Sequence, residues 1–536
     1  TILTITGSGD MYNYSQNNAP WQLFKEEIKE ITIAEGITRI GNFAFYNIKG
    51  VTSIVIPESI TSVGENALNN CSGLTTVVWN AKNCPTLNSN WIYRSSITSF
   101  TFGEQVEVIP SHVCYNLSKL SSIILPESVT SIGYSAFYGC SGISSLDIPA
   151  KVDSIAERAF YNCYGLDSLV VSCATRYIAA SAFSGSNSNN LISTVTLKAN
   201  SVEEYAQSNI NKLLIDASVS ATRKLLIGDE APTDIIIPNT ITRINYYAFW
   251  DVNGINSIII PSSVTKIDSC AFYSDAIRTI SIPCTVDSIG GTTFMPSALE
   301  NLIITTTNLE QFLQSDINLL LNAANANTVP RTLWVNGAEV TNVLIPNSIT
   351  EIKERAFYRM VNITSVNMFE GVTKLGSYAF AGCNKLEVVK LPNSLDTIPV
   401  RAFDQCSLLA TVDLGDSIKR IDDYAFASCF RLVTLRMPEA LKSIGSYVFS
   451  NCSNLTSIHL PMLVPPTIIS NKTFYGATKL SSFYVPCGAK DNYTSDANWS
   501  SFASNINERY FTDYTITTAS TNDAWGIVTL NEPTSC

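Results

Sequence analysis

The stretch Ala379–Pro399, AFAGCNKLEVVKLPNSLDTIP, is one copy of a pattern that recurs along the chain. Counted from Phe380, apolar residues follow at fixed distances: Cys383, Leu386, Val389, Leu391, Leu395 and Ile398. The alternation around Val389 is typical of a short β-strand with one buried face. Pro392 then ends the strand, because proline has no N–H to donate to a neighbouring strand.

The position of Phe380 returns through the chain in three runs, mostly with a step of 23 residues. The equivalent residues are Phe45, Leu68, Trp91, Cys114, Phe137, Phe160, Phe183; Phe249, Phe272, Phe294; and Phe357, Phe380, Phe403, Phe426, Phe449, Phe474. A unit this short cannot bury its apolar face alone, so the units must stack and pair their strands in parallel. The sequence therefore predicts a repeat solenoid.

The consensus A-F-x-x-C-x-x-L-x-x-I-x-L-P-x-x-V-x-x-I-G resembles the BspA-like class of leucine-rich repeats, over about Ile31 to Pro486. The resemblance implies a right-handed leucine-rich-repeat superhelix with a long parallel sheet on one face and coil or short helical turns on the other. It also implies a secreted or surface-anchored protein of bacteria or parasitic protists, with a role in adhesion and without enzymatic activity.

Two interruptions of the repeat resemble each other: SVEEYAQSNINKLLI from Ser201 and NLEQFLQSDINLLL from Asn308. Each indicates an amphipathic helix followed by a hairpin-like stretch, and Asn336-Gly337 is a strong two-residue turn signal in the second. They are either duplicated spacers or tolerated surface insertions.

Both ends of a solenoid expose its core and need a cover. Short helices with the i, i+3, i+7 spacing of one apolar face are predicted there, with Trp21, Phe24, Ile28 and Trp499, Phe502, Ile506. The predicted organisation is an N-terminal cap (1–31), array I (32–200), a helical insert (201–226), array II (227–307), a helical insert (308–332), array III (333–486), a C-terminal helical cap (487–510) and the start of a truncated further module (511–536).

Composition and charge exclude several functional classes. The 536 residues include 34 basic and 45 acidic ones, a net charge of −11. Without a basic stripe, the chain is not expected to bind nucleic acid or anionic membranes. No apolar run approaches the roughly 18 residues of a membrane span, so no membrane insertion is predicted. The first residues carry no secretion signal, which we expect to have been either cleaved or left out of this sequence.

Seven of the fourteen cysteines share one repeat position and form a ladder: Cys71, Cys140, Cys163, Cys383, Cys406, Cys429 and Cys452. Equivalent side chains of stacked units point the same way, which predicts buried thiols rather than disulfides. A pairing among six of the seven other cysteines stays open: Cys84, Cys114, Cys173, Cys270, Cys284 and Cys487.

Sequence motifs of catalysis and metal binding are absent. The chain has no C-x-x-C, G-x-S-x-G, P-loop, H-E-x-x-H or EF-hand pattern, and only two histidines, His112 and His459. We therefore predict no catalytic residue, no metal site and no cofactor. A carboxylate pair that hydrolyses a glycan is a remote alternative.

Residues ten positions after the aromatic point outward from the strand, because they flank the buried residue at nine. In array I they are mostly β-branched: Val55, Val78, Thr101, Ile124, Asp147 and Val170. In array III they are diverse in charge and hydrogen bonding: Asn367, Lys390, Asp413, Arg436, His459 and Tyr484. Recognition surfaces need such variety, so this row is the predicted binding face. Alternatively, opposite charges on neighbouring strands only stabilise the sheet.

The leading hypothesis is an extracellular or cell-surface protein that binds a macromolecule, protein or glycan, through this face. The chain is expected to be a monomer. The alternative is a structural stalk that holds another module away from the cell surface.

Overall fold

The computed structural model describes residues 1–93, 96–185, 192–294 and 298–511. The further module predicted at 511–536 lies, beyond Phe511, outside the described residues. Contacts divide the chain into two compact units: residues 1–258, 267–277 and 293–298, and residues 259–266, 278–292 and 299 onward. Both units are built from stacked parallel strands, and the predicted leucine-rich-repeat solenoid is confirmed.

One repeat of the second unit illustrates how the sequence produces the fold. Val388–Lys390 is a main strand, Thr397–Ile398 is a second, shorter strand, and a turn then brings Phe403 inward. Val389, Ile398 and Phe403 are each 0% exposed. This repeat therefore contributes two strand positions and one aromatic ring to the core.

The first unit contains two parallel ladders. Its main strands are Ile2–Ile5, Glu30–Ile33, Ser53–Ile56, Thr76–Trp79, Ser99–Phe102, Ser145–Asp147, Ser168–Ser172, Thr194–Ala199, Thr222–Ile227, Asp234–Ile236 and Val252–Asn253. Its shorter strands are Gly9–Asp10, Ile37–Ile40, Ser62–Val63, Val108–Ile109, Ser131–Ile132, Ser154–Ile155, Tyr177–Ile178 and Arg243–Ile244. Ser257–Ile259 and Lys266–Ile267 include residues of both units.

The second unit repeats this arrangement. Its main strands are Thr279–Pro283, Asn301–Thr306, Arg331–Val335, Asn342–Leu344, Ser365–Asn367, Val388–Lys390, Thr411–Asp413, Thr434–Arg436, Ser457–His459, Ser482–Pro486 and Ile506–Arg509. Its shorter strands are Ser288–Ile289, Glu351–Ile352, Lys374–Leu375, Thr397–Ile398, Arg420–Ile421, Ser443–Ile444 and Thr467–Ile468. Ala338–Glu339 pairs antiparallel with Arg331–Val335 across the Asn336-Gly337 turn.

The ladder of shorter strands was not anticipated from the sequence, which indicated only coil or helical turns beyond the main sheet. Most of these strands have two residues, of which one is buried, as in Thr397–Ile398. A single buried residue is too short a pattern to reveal strand periodicity. The rest of the return path is made of turns.

Aromatic rings stack along the core of the second unit. Neighbouring rings lie 4.9–5.8 Å apart between centroids and 2–8° from parallel, in the series Phe357, Phe380, Phe403, Phe426, Phe449 and Phe474. In the first unit, Phe137, Phe160 and Phe183 stack in the same way, 5.1 and 5.3 Å apart. The 23-residue period thus places one ring directly against the next.

The ladder cysteines are buried thiols, as predicted. In all seven, Sγ donates a hydrogen bond of 3.0–3.4 Å to the backbone carbonyl 26 residues earlier. Burial raises the pKa of their thiols, to about 12 for Cys383. Among the other cysteines, Cys84, Cys114, Cys173 and Cys284 are also thiols, whereas Cys487 is disulfide-bonded.

Each insert contains two short helices where the sequence indicates one. They are Val202–Gln207 and Ile210–Asp216 in the first unit, and Leu309–Gln314 and Ile317–Ala323 in the second. Ser208 and Ser315 separate the two helices of each pair because their backbones are extended. The apolar face is buried as the periodicity indicates, with Tyr205 and Phe312 each 2% exposed.

A fully buried arginine anchors each insert. Arg331 donates hydrogen bonds to Oδ1 of Asn318 at 2.7 Å, to Oδ1 of Asn322 at 2.9 Å and to the carbonyl of Ala326 at 3.0 Å. Arg223 lies at the equivalent place in the first insert, and both side chains are 0% exposed. Arginine side chains are mostly exposed in folded proteins, so the burial of Arg223 and Arg331 could not be predicted from the sequence.

The N-terminal cover differs from the prediction. Pro20–Phe24 is a 3₁₀ helix, after which the chain continues in turns. Ile28 is buried, and Trp21 stacks on Phe45 with 6.1 Å between ring centroids. Phe24, however, is 53% exposed. The α-helical spacing does not hold here because the helix ends at Phe24.

At the C-terminus, Trp499 is fully buried and its indole N–H donates to the carbonyl of Pro466 at 2.7 Å. Its ring meets Phe483 edge-on at 5.4 Å. The region contains the α-helix Lys490–Ser495 and the 3₁₀ helix Ser500–Asn505. The predicted helical position of Ile506 is wrong, because the residue begins a strand, Ile506–Arg509.

Candidate binding surface

The first half of the predicted row lies on three adjacent strands. Leu344, Asn367, Lys390 and Asp413 are direct partners in successive parallel pairs of one four-stranded sheet. Lys390 is exposed, whereas Asn367 and Asp413 are half-buried. Their side chains therefore share one face at the spacing of neighbouring strands, about 4.8 Å.

The second half of the row lies in the next sheet. Arg436 pairs with His459, and His459 pairs with Tyr484. The three side chains are half-buried. The rings of His459 and Tyr484 lie 4.9 Å apart between centroids, tilted by 42°.

The row is interrupted between Asp413 and Arg436, whose strands belong to different sheets. The Asp413 carboxylate accepts a hydrogen bond of 3.1 Å from the N–H of Gly415, whose φ is +63°. Gly415 follows Leu414 at the position where other repeats, such as Leu391-Pro392, have proline. The predicted surface therefore consists of two groups of three residues.

Opposite charges flank Arg436 at long distances. Its guanidinium nitrogens lie 4.0 Å from Oδ1 of Asp416 and 3.9 Å from Oε1 of Glu439, both of which are largely exposed. Such ion pairs contribute little, because water screens them. The buried Nε of Arg436 has no hydrogen-bond partner in the described part of the chain.

The cap adds two residues to this surface that the sequence analysis missed. Arg509 places its guanidinium carbon 3.7 Å from the centre of the Tyr484 ring. Phe511 meets the ring of His459 edge-on at 6.3 Å. Arg509 ends the unpredicted strand Ile506–Arg509, which pairs with Ser482–Pro486, and Phe511 follows it closely. Four residues without clear alternation gave no signal that could have revealed this strand.

Burial and charge disfavour the protonated form of His459. Its pKa falls from 6.5 to about 4, first because the ring is desolvated, then because Arg509 and Arg436 lie nearby. His459 is therefore neutral at pH 7, so the positive charge of this part of the surface resides on the two arginines.

The equivalent row of the first unit is different in character. Val55 is 50% and Ile124 is 82% exposed, and these apolar side chains have no charged neighbours in the row except Asp147. β-Branched residues fit a pleated surface, which is a sufficient explanation of their presence. The contrast holds for these six positions, although strand pairing continues the first unit's row through Thr196 to Lys224 and Asn253.

An open groove of about 540 Å³ lies in the second unit, beyond the ends of its main strands. Its lining is polar and includes Asn393, Asp396, Asp416 and Lys419. It has no aromatic or large apolar side chain, which small-molecule sites usually contain. The groove therefore lacks the lining of a typical small-molecule site.

The repeats match the model of the BspA type leucine rich repeat region over residues 23–140, 85–214, 229–320, 327–456 and 385–505. These segments cover most of the chain. The chain belongs to the BspA-type leucine-rich-repeat family. Members of this family are generally non-enzymatic. No curated protein sequence matches the chain.

Several solved structures resemble this BspA-type chain. A leucine-rich repeat protein from Bacteroides ovatus is 18% identical, with 95% of this chain and 91% of that chain covered and a TM-score of 0.29. A leucine rich cell surface protein from Faecalibacterium prausnitzii is 19% identical, with 94% and 92% covered and a TM-score of 0.24. The T. pallidum leucine rich repeat protein is 32% identical over 27% of this chain and 71% of that chain, with a TM-score of 0.25.

Two further structural observations concern membrane-spanning helices and metal sites in the BspA-type chain. Within residues 1–93, 96–185, 192–294 and 298–511, no helix has the length and apolar character needed to cross a membrane. In the same described ranges, no three His, Cys, Asp or Glu side chains gather in a way that could hold a metal ion.

Proposed function

We propose that this chain is a non-enzymatic, secreted or surface-displayed repeat protein that binds a macromolecular partner through the main-sheet face of residues 365–484. The observation that carries the proposal is the row of six chemically different side chains, in two groups on adjacent strands: Asn367, Lys390, Asp413, Arg436, His459 and Tyr484.

Three features support binding rather than a purely structural role. The row combines charged, amide and aromatic groups, of which Tyr and Arg are enriched in binding hot spots. The ion pairs around Arg436 are long and solvent-exposed, so they do little to stabilise the fold. The six equivalent positions of array I, from Val55 to Val170, carry a single charged group, Asp147. Leucine-rich-repeat folds often bind protein partners.

The proposal includes the location and state of the protein. A BspA-type array supports display outside the cell, and we propose that the chain acts there as a monomer. The division into three arrays, two spacers and two caps is part of the same proposal. A stalk that only displays another module would need no diverse row on one face.

The test is a screen of the purified chain against immobilised glycans and extracellular-matrix proteins, followed by variants. We expect Lys390→Ala/Asp413→Ala/Arg436→Ala/His459→Ala to lose at least about tenfold in affinity for any partner found, because hot-spot residues contribute about 2 kcal/mol or more.

The matched control changes four equivalent residues of the first unit, in Val55→Ala/Val78→Ala/Ile124→Ala/Val170→Ala. Binding that is lost in the control alone would place the interaction elsewhere and contradict the proposal. Failure to bind any probe would favour the display stalk. Circular dichroism of both variants verifies that the repeats remain folded.

A further inference from the structure

Arg509 and His459 contact the ring of Tyr484 at the end of the second unit, and Arg436 lies on the other side of His459. We call Arg436, His459, Tyr484 and Arg509 the arginine–histidine cluster. Arg436 and Tyr484 flank His459 on neighbouring strands, and Arg509 covers the Tyr484 ring at 3.7 Å. The cluster therefore combines residues of the repeat array with one residue of the cap.

The positive charge of the cluster is poorly neutralised. Asp416 and Glu439 approach only Arg436, at 4.0 and 3.9 Å, and are 76% and 68% exposed. Within the described part of the chain, Arg509 forms no ion pair. The buried Nε of Arg436 also lacks an acceptor there. That atom is closed to solvent, but the Arg436 side chain as a whole is 35% exposed, so its terminal guanidinium nitrogens are the donors that a ligand can reach.

The aromatic ring indicates which class of ligand fits. A sugar that stacks on tyrosine needs an open ring face, but Arg509 lies over one face of Tyr484 and the ring of His459 lies beside it. The guanidinium edges, in contrast, carry N–H donors whose planar geometry suits a carboxylate. This arrangement favours an acidic side chain over a neutral sugar ring.

We propose that the arginine–histidine cluster binds a carboxylate group of an acidic segment on a protein partner. The proposal rests on the proposed function and names the partner chemistry of one half of the binding face. The attraction acts at short range only, because the net charge of the whole chain is −11 and salt screens distant charges.

The histidine is a built-in reporter of this binding. Burial lowers the pKa of His459 most, and Arg509 and Arg436 lower it further; a carboxylate beside the ring would counter the two arginines. Binding should therefore raise that pKa. The only other histidine, His112, lies in the first unit, with Nδ1 3.0 Å from the carbonyl of Leu87, and serves as an internal reference.

The experiment is an NMR titration of both histidine rings in the full chain with acetyl-triglutamate amide. We expect saturable shifts and a raised pKa for His459, no change for His112, and weaker binding at higher salt. Arg509→Gln should weaken the peptide about tenfold, because a hydrogen bond to a charged group contributes about 1.5–3 kcal/mol. Arg509→Lys, which keeps the charge but not the fork, should have an intermediate affinity.

Four results would overturn the proposal: no shift of His459, equal shifts of both histidines, an unchanged affinity of Arg509→Gln, or tighter binding of glucuronate than of the peptide. The near-ultraviolet circular dichroism of the stacked core rings, which end at Phe474, verifies that each variant is folded. The peptide assay requires no macromolecular partner. If the peptide binds but Lys390 and Asp413 contribute nothing to the binding of a macromolecular partner, the proposed function is refuted and the carboxylate site is not.

Discussion

Replacing the buried arginine of the second insert, Arg331→Met, is expected to loosen that insert more than Arg223→Met loosens the first. Methionine fills a similar volume and removes a fully buried cation, which by itself is favourable. The loss of hydrogen bonds opposes this gain. The two inserts differ in how many acceptors each arginine serves, so they provide an internal comparison.

The magnitude follows from those acceptors. Arg331 donates to two amide side chains and one carbonyl at 2.7–3.0 Å, all from the second helix of the insert and the turn after it. Arg223 donates to two backbone carbonyls, of Ala221 and Val219, at 2.8 and 3.0 Å. Each acceptor left unsatisfied costs about 1–3 kcal/mol, offset in part by the removed cation. We expect losses of about 3 kcal/mol for Arg331→Met and about 1 kcal/mol for Arg223→Met.

Hydrogen exchange measured by mass spectrometry resolves the two inserts within one molecule. Repeat proteins unfold locally, so a global melting temperature would dilute the effect. Faster exchange should appear in peptides that cover Leu309–Gln314 and Ile317–Ala323 in Arg331→Met. The reasoning fails if those peptides keep their protection, or if Arg223→Met accelerates its own insert more strongly.

Three further predictions concern the core and the surface. The seven ladder cysteines should resist alkylation in the native chain and react once it is unfolded without reductant, as mass spectrometry would record; labelling in the native state would contradict their burial. Phe403→Ala, at a ring stacked between neighbours at 5.4 and 5.3 Å, should cost about 3–5 kcal/mol in urea unfolding, whereas Phe24→Ala, at an exposed ring, should change stability by less than about 0.5 kcal/mol. His459 should titrate near pH 4. Arg509→Gln should raise that pKa, because it removes one of the two positive charges near the ring and leaves only Arg436. An unchanged NMR titration would refute this. Because the folded pKa lies below 6.5, the unfolded chain takes up this proton first, so stability should fall as the pH drops from about 6.5 towards 4.

The repeat period was sufficient to predict the fold. A spacing of 23 residues between buried aromatics leaves parallel stacking as the way to bury them, and it also placed the ladder cysteines correctly. Register is fixed because a shift by one residue would turn the apolar side of every strand towards water. For the same reason, the outward positions of Lys390 and Arg436 could be read from the sequence.

Contacts between distant parts of the chain were decided only by the tertiary structure. The approach of Arg509 to Tyr484 depends on how the cap folds back as a strand. Nor could the periodicity reveal that Arg331 is buried, since its acceptors lie on another element. Periodicity predicts which side of an element faces the core. It does not predict these contacts, because they involve side chains that lie outside the repeat pattern.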